Sequence, residues 1–186
     1  MNKHLCALAL AILFSTLLAR SQSTPPEKSR TENSDVVNFG FGFGQDYGGL
    51  GGNITAYPQQ NIGLFAGFGY AIAGFGYNAG IKLRLLPGGG RSKVRPFIEA
   101  MYGYNAAVAV TNYSNYNKMF YGPTVGAGLD IGSFVQGRGH FSVAILIPIR
   151  SPDVDNYINE LNTNYGVNFN NNLLPVTFSI GYKFVL

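Results

Sequence analysis

The chain has 186 residues, the length of one ordinary domain. Hydrophobic residues make up 46% and charged residues only 12%, against roughly a quarter charged in a soluble domain, which excludes a disordered tract. Twenty-five glycines and 14% aromatics point to an all-β chain, and a net charge of +4 is too small to argue for nucleic acid.

At the N-terminus, Lys3 and His4 precede the apolar run Leu5–Leu18, followed by the small residues Ala19, Ser21 and Ser23. This layout predicts a secretory signal peptide over 1–21, cleaved after Ser21 or Ser23. The run falls short of the roughly 20 residues a spanning helix needs. Cleavage would remove Cys6, the only cysteine, and with Lys3 and Arg20 half of the net charge. No disulfide or cysteine chemistry is then available. Residues 22–34, polar and proline-containing, read as a flexible periplasmic lead-in.

From residue 35 to 186 the dominant period is two, the period of a strand. The first strand sets Val37, Phe39, Phe41 and Phe43 against Asn38, Gly40, Gly42 and Gly44. Further strands are predicted over Gly49–Tyr57, Asn61–Tyr70, Phe75–Leu86, Lys93–Val110, Phe120–Ile131, Gly139–Ile149 and Leu174–Leu186. Most reach the roughly 9 to 11 residues that a tilted spanning strand needs. The connections are short except Thr111–Lys118 and Ser151–Leu173, both rich in Asn and Tyr. In the second of these, Ser151-Pro152 followed by Val154, Tyr157, Ile158 and Leu161 at helical spacing predicts a short helix.

Charge placement separates a membrane barrel from a soluble one. One face of the strands is almost purely Phe, Tyr, Ile, Leu and Val. The opposite face is Gly, Ala, Ser and Asn, with Lys82, Arg84, Arg95, Glu99, Asp130 and Lys183. That pattern predicts an eight-stranded antiparallel up-and-down transmembrane β-barrel with its apolar face toward lipid. Inside it, Lys82, Arg84, Arg95, Glu99 and Asp130 would form an ion-pair network plugging the lumen. A narrow passage for small solutes through the glycine-lined interior is the alternative. Tyr57, Tyr70, Tyr102, Tyr121 and Tyr182 near strand ends fit interfacial aromatic girdles.

Over about Asp35–Leu186 the chain resembles the small eight-stranded outer-membrane β-barrel proteins of diderm bacteria, the group that includes the barrel of outer-membrane protein A. The most specific part is the C-terminal strand, where Ser179, Gly181, Phe184 and Leu186 match the family's assembly signal; many relatives end on Phe, and this chain ends on Leu. The resemblance implies an outer-membrane location, contact with outer-membrane lipid, and the barrel-assembly machinery and periplasmic chaperones as partners. It also implies that both chain ends lie in the periplasm, which places the two long connections outside the cell. Tyr113, Tyr116, Tyr157 and Tyr165 are then candidates for surface contacts through a structural or interaction role.

Enzymatic chemistry finds little footing. Pro87-Gly-Gly-Gly-Arg-Ser-Lys93 lacks phosphate-loop spacing and precedes a strand. His140-Phe141-Ser142 looks like the His-x-Ser pair of lipid A deacylases, but the predicted topology puts it near the periplasmic rim, away from the outer leaflet. Its own strand offers no acidic residue to orient the imidazole. No catalytic residue, metal site or cofactor is expected.

Overall fold

The computed structural model describes residues 36–85, 92–110, 114–165 and 173–186. The expected signal peptide and lead-in, most of the Pro87–Ser92 turn, Tyr113 and the stretch 166–172 lie outside the described residues. Eight strands follow in chain order: β1 Val37–Gly44, β2 Gly49–Gln59, β3 Ile62–Ala71, β4 Gly74–Arg84, β5 Val94–Val108, β6 Lys118–Gly132, β7 Gly139–Pro148 and β8 Thr177–Val185. Each pairs antiparallel with its neighbour, and β1 closes the barrel on β8, from Asn38 against Val185 to Phe43 against Ile180. Among the described residues, closure leaves no free sheet edge around the barrel wall itself. Among the described residues, no helix is long and apolar enough to cross a membrane.

The period-two pattern survives as burial. Along β7, His140, Ser142, Ala144, Leu146 and Pro148 are buried, whereas Phe141, Ile145 and Ile147 are exposed. On β8 the buried residues are Ser179, Gly181, Lys183 and Val185, and the exposed ones Phe178, Ile180 and Phe184. Successive Cβ atoms point to opposite faces of a strand, so one face must be lumen and the other outer wall. The outer wall is the apolar one.

The end that carries Val37 and Leu186, here the near end, also carries the β2–β3, β4–β5 and β6–β7 turns. At the far end, β5 and β6 are both 15 residues long, against 8 to 11 for the other strands. The β4–β5 ladder ends at Gly103 and the β6–β7 ladder at Thr124, so beyond Asn105 and Gly122 the hairpin extends past both neighbouring ladders. Register shifts between Tyr104 and Ala106, which marks Asn105 as a β-bulge.

The predicted helix forms as α1, Pro152–Tyr165. Ser151 sits at its N-terminal boundary and its hydroxyl accepts from the Asp153 N–H (3.3 Å), while Pro152 takes the first helical position. Asp153 and Asp155 occupy the first turn, where the helix dipole favours negative charge. Val154 and Leu161 are buried; Leu161 packs on Val108 and Val110 of the hairpin, with Tyr116, Phe120, Tyr157 and Ile158 around them. Hairpin and helix thus share a small apolar core of their own.

Candidate functional site

The lumen is filled in layers. At the near end the Arg84 guanidinium lies 3.6 Å from the Tyr57 ring centroid, and Arg95 lies 3.7 Å from that of Phe134, a residue of the β6–β7 turn folded inward. Arg84 also donates to the Gln60 carbonyl (3.5 Å). Tyr57 is therefore a lumen residue and not part of an outer girdle, correcting the expectation drawn from its place near a strand end. Tyr70 and Tyr102 do face outward.

Next comes the charged layer. Lys82 Nζ sits 3.7 Å from both Glu99 Oε2 and Asp130 Oδ1, and Asp130 Oδ2 lies 4.0 Å from His140 Nε2. Lys82 also donates to the Ser142 hydroxyl (3.4 Å) and rests over the Phe97 ring at 3.4 Å. Register explains the meeting: Lys82 faces Glu99 across β4–β5, and Asp130 faces Ser142 across β6–β7. Lys183 completes the layer from β8, donating to the Thr55 hydroxyl (3.2 Å). Of the five charges expected to meet, Lys82, Glu99 and Asp130 do so here; Arg95 stands opposite Asp130 across β5–β6, and Arg84 and Arg95 also lie against the near-end aromatic rings.

A third, apolar layer is built from Phe65, Phe97, Met101, Ala144 and Leu146. Glycines stand opposite its large side chains: a Cβ on Gly128 would meet the Phe97 ring, one on Gly80 Met101, and one on Gly126 Leu146. Pairing large with empty positions lets eight strands close on a filled interior.

The far half of the lumen holds a feature that period two could not announce. The β1–β2 connection, a 3-10 turn at Gln45–Tyr47, folds into the barrel instead of out of it, and all three residues are buried. Tyr47 is fully buried and lies against Gly42 and Gly181, where a Cβ would strike its ring. A Cβ on Gly67 would strike the Asp46 carbonyl, and one on Gly51 or Gly69 the Tyr47 carbonyl. The inward glycines of β1, β2, β3 and β8 thus make room for a backbone segment. Gly44 (φ 135°) and Gly48 (φ 72°) reverse the chain at either end of the turn in conformations that side chains disfavour.

Side chains of the wall hold this inner turn. Asn78 Nδ2 donates to the Gln45 carbonyl and Asn53 Nδ2 to the Asp46 carbonyl, both at 2.6 Å. The Ser179 hydroxyl donates to Asp46 Oδ1, and Gln45 Nε2 donates to the Asn105 carbonyl (3.1 Å). Ser179 and Gly181, expected to act in assembly, are therefore also the floor under Asp46 and Tyr47. Phe184 and Leu186 are exposed on the outside.

No protein-family model matches the chain, and no curated protein matches it. Among solved structures it is similar to the N-terminal β-barrel domain of Pseudomonas aeruginosa OprF, with TM-score 0.47 and 12% identity, over 82% of this chain and 98% of that one. The closed eight-stranded antiparallel barrel stands on the strand ladder itself.

Beyond the barrel, the candidate surface tyrosines gather on the hairpin and α1. Tyr157 donates its hydroxyl to the Tyr116 carbonyl (2.8 Å), and the Tyr116 and Tyr165 rings lie 4.8 Å apart. Tyr157 also packs edge-on against Phe120 and receives the Lys118 ammonium 4.5 Å from its centroid. Partial burial, then the Glu160 carboxylate, raises the Tyr157 hydroxyl above the ordinary phenol value. A cleft of about 380 Å³ opens beside it, lined by Lys118, Phe120, Asp153, Asn156, Tyr157 and Glu160. Of the four tyrosines, Tyr116, Tyr157 and Tyr165 are brought together; Tyr113 lies outside the described residues.

Proposed function

We propose that the chain is a non-enzymatic, integral outer-membrane β-barrel that presents its far-end hairpin and α1 at the cell surface. The observation that carries this is the inversion of ordinary burial. Phe41, Leu64, Ile98, Val125, Ile145 and Phe178 are 42–65% exposed on the outer wall, while Lys82, Asp130 and Lys183 are 0–1% exposed inside. Water would penalise such a wall by about 25 cal/mol per Å² of apolar surface, whereas hydrocarbon accepts it. Export would use the N-terminal signal and insertion the C-terminal strand, with periplasmic chaperones and the barrel-assembly machinery as transient partners.

The filled lumen supports a structural and surface-contact role over a resting channel. The His140–Ser142 pair does acquire an acidic neighbour, Asp130 from β6, but all three side chains are at most 2% exposed. A nucleophile so enclosed has no path to a lipid substrate.

Cell fractionation and gel mobility with and without heating test the proposal. The expected result is recovery with outer membranes and a folded band that shifts on boiling. A soluble chain with one heat-independent mobility would contradict it.

A further inference from the structure

We propose that the inner turn Gln45–Tyr47 is a latched plug, seated by the outer hairpin and α1 through Asn105, so that displacing α1 unseats it and opens the far half of the lumen. This rests on the membrane barrel proposed above, since only there does α1 face the cell exterior.

Three observations carry the inference. The turn is no part of the wall. It fills a space floored by Gly42, Gly51, Gly67, Gly69 and Gly181, and a wall meant to close itself would have used side chains there. The turn also has hinges, because Gly44, Gly48 and Gly49 all hold positive φ and can change conformation without a Cβ to obstruct them. Finally, one residue serves both plug and latch. The bulge turns Asn105 into the lumen, where it is 2% exposed. Its carbonyl accepts from Gln45 Nε2 (3.1 Å) and from Arg150 Nε (3.5 Å), and its amide donates to the Ile149 carbonyl (3.0 Å). Ile149 and Arg150 lead through Ser151 directly into α1. A load that lifts α1 from Val108 and Val110 pulls on the segment that helps hold Asn105, and Asn105 holds Gln45.

The bonds involved are side-chain bonds, each worth about a fivefold change in an opening equilibrium. The device can therefore shift population without unfolding the barrel, since it meets the strand ladder only at the last β1–β2 rung, Gly44 against Gly49.

Hydrogen exchange on the purified full-length barrel in lipid vesicles tests the latch. The readout is deuterium uptake by the segment Gly44–Leu50, with β3 and β7 as internal references. Gln45→Ala, which removes the plug's own bond, sets the scale. Arg150→Ala and Asn105→Ala are expected to speed uptake in Gly44–Leu50 about fivefold and leave β3 and β7 unchanged. Leu161→Asp, which touches no residue of the plug, is expected to do the same by freeing α1. If Leu161→Asp makes α1 protease-sensitive while Gly44–Leu50 exchanges as in the parent, the latch is overturned and the barrel stands. If the parent shows no heat-dependent mobility shift, the membrane barrel itself fails.

Discussion

Tyr47 and Gly181 show how far a single residue's role here depends on what lies across the lumen. The glycine has no side chain because a ring occupies the place its Cβ would take. Gly181→Ala should therefore cost about 1–3 kcal/mol through overpacking, and Tyr47→Ala about 3–5 kcal/mol, the range for removing a buried aromatic. In the double variant the Gly181 cost should shrink, giving a measurable coupling energy. Urea unfolding of the purified protein reads this packing directly, free of any effect on assembly in the cell. Strictly additive costs would mean that the two residues do not meet. The charged layer makes a second expectation. Lys82→Met leaves Glu99 and Asp130 without their nearest shared cation and should cost about 3–5 kcal/mol in the same assay. Strand alternation made Lys82, Glu99 and Asp130 legible as interior residues from sequence alone. It hid Phe65 and Leu146, whose neighbours Leu64, Ala66, Ile145 and Ile147 are also apolar. Only the empty glycine positions facing such side chains say which of them turn inward.

Among the elements, the strands and α1 were legible because each has a strong period: two along the walls, and i, i+3, i+4, i+7 for Val154, Tyr157, Ile158 and Leu161. The inner turn was not. Gln45 and Asp46 are polar, and a polar connection between two strands reads as an exposed one. Its inward course depends on Asn53 of β2, Asn78 of β4 and Ser179 of β8, contacts that no local pattern encodes. Asp46 is for the same reason not legible as an interior charge, although it is buried. The projecting hairpin was hidden in a similar way, because the bulge at Asn105 leaves strand-like sequence on both sides. That hairpin and α1 form a core separate from the barrel, so they should open separately from it. Leu161→Asp is expected to make α1 susceptible to limited proteolysis while the heat-dependent shift of the barrel persists. Loss of the shift in that variant would show that the two cores are one cooperative unit.

The whole molecule reverses the usual arrangement of polar and apolar groups, and its stability should report that reversal. A cation at mid-wall, such as Ile145→Arg, is expected to cost about 2–4 kcal/mol in lipid vesicles, whereas the same change on a soluble protein's exposed face would be nearly neutral. The most direct measurement is a spin-label scan along β7 from Phe141 to Ile147 in the vesicle-inserted protein. Labels at Phe141, Ile145 and Ile147 should contact oxygen dissolved in the hydrocarbon and escape a water-soluble quencher. Labels at Ser142, Ala144 and Leu146 should be shielded from both, because they enter a filled lumen. An alternation in which the water-soluble quencher reaches Phe141, Ile145 and Ile147 would contradict a lipid-facing wall.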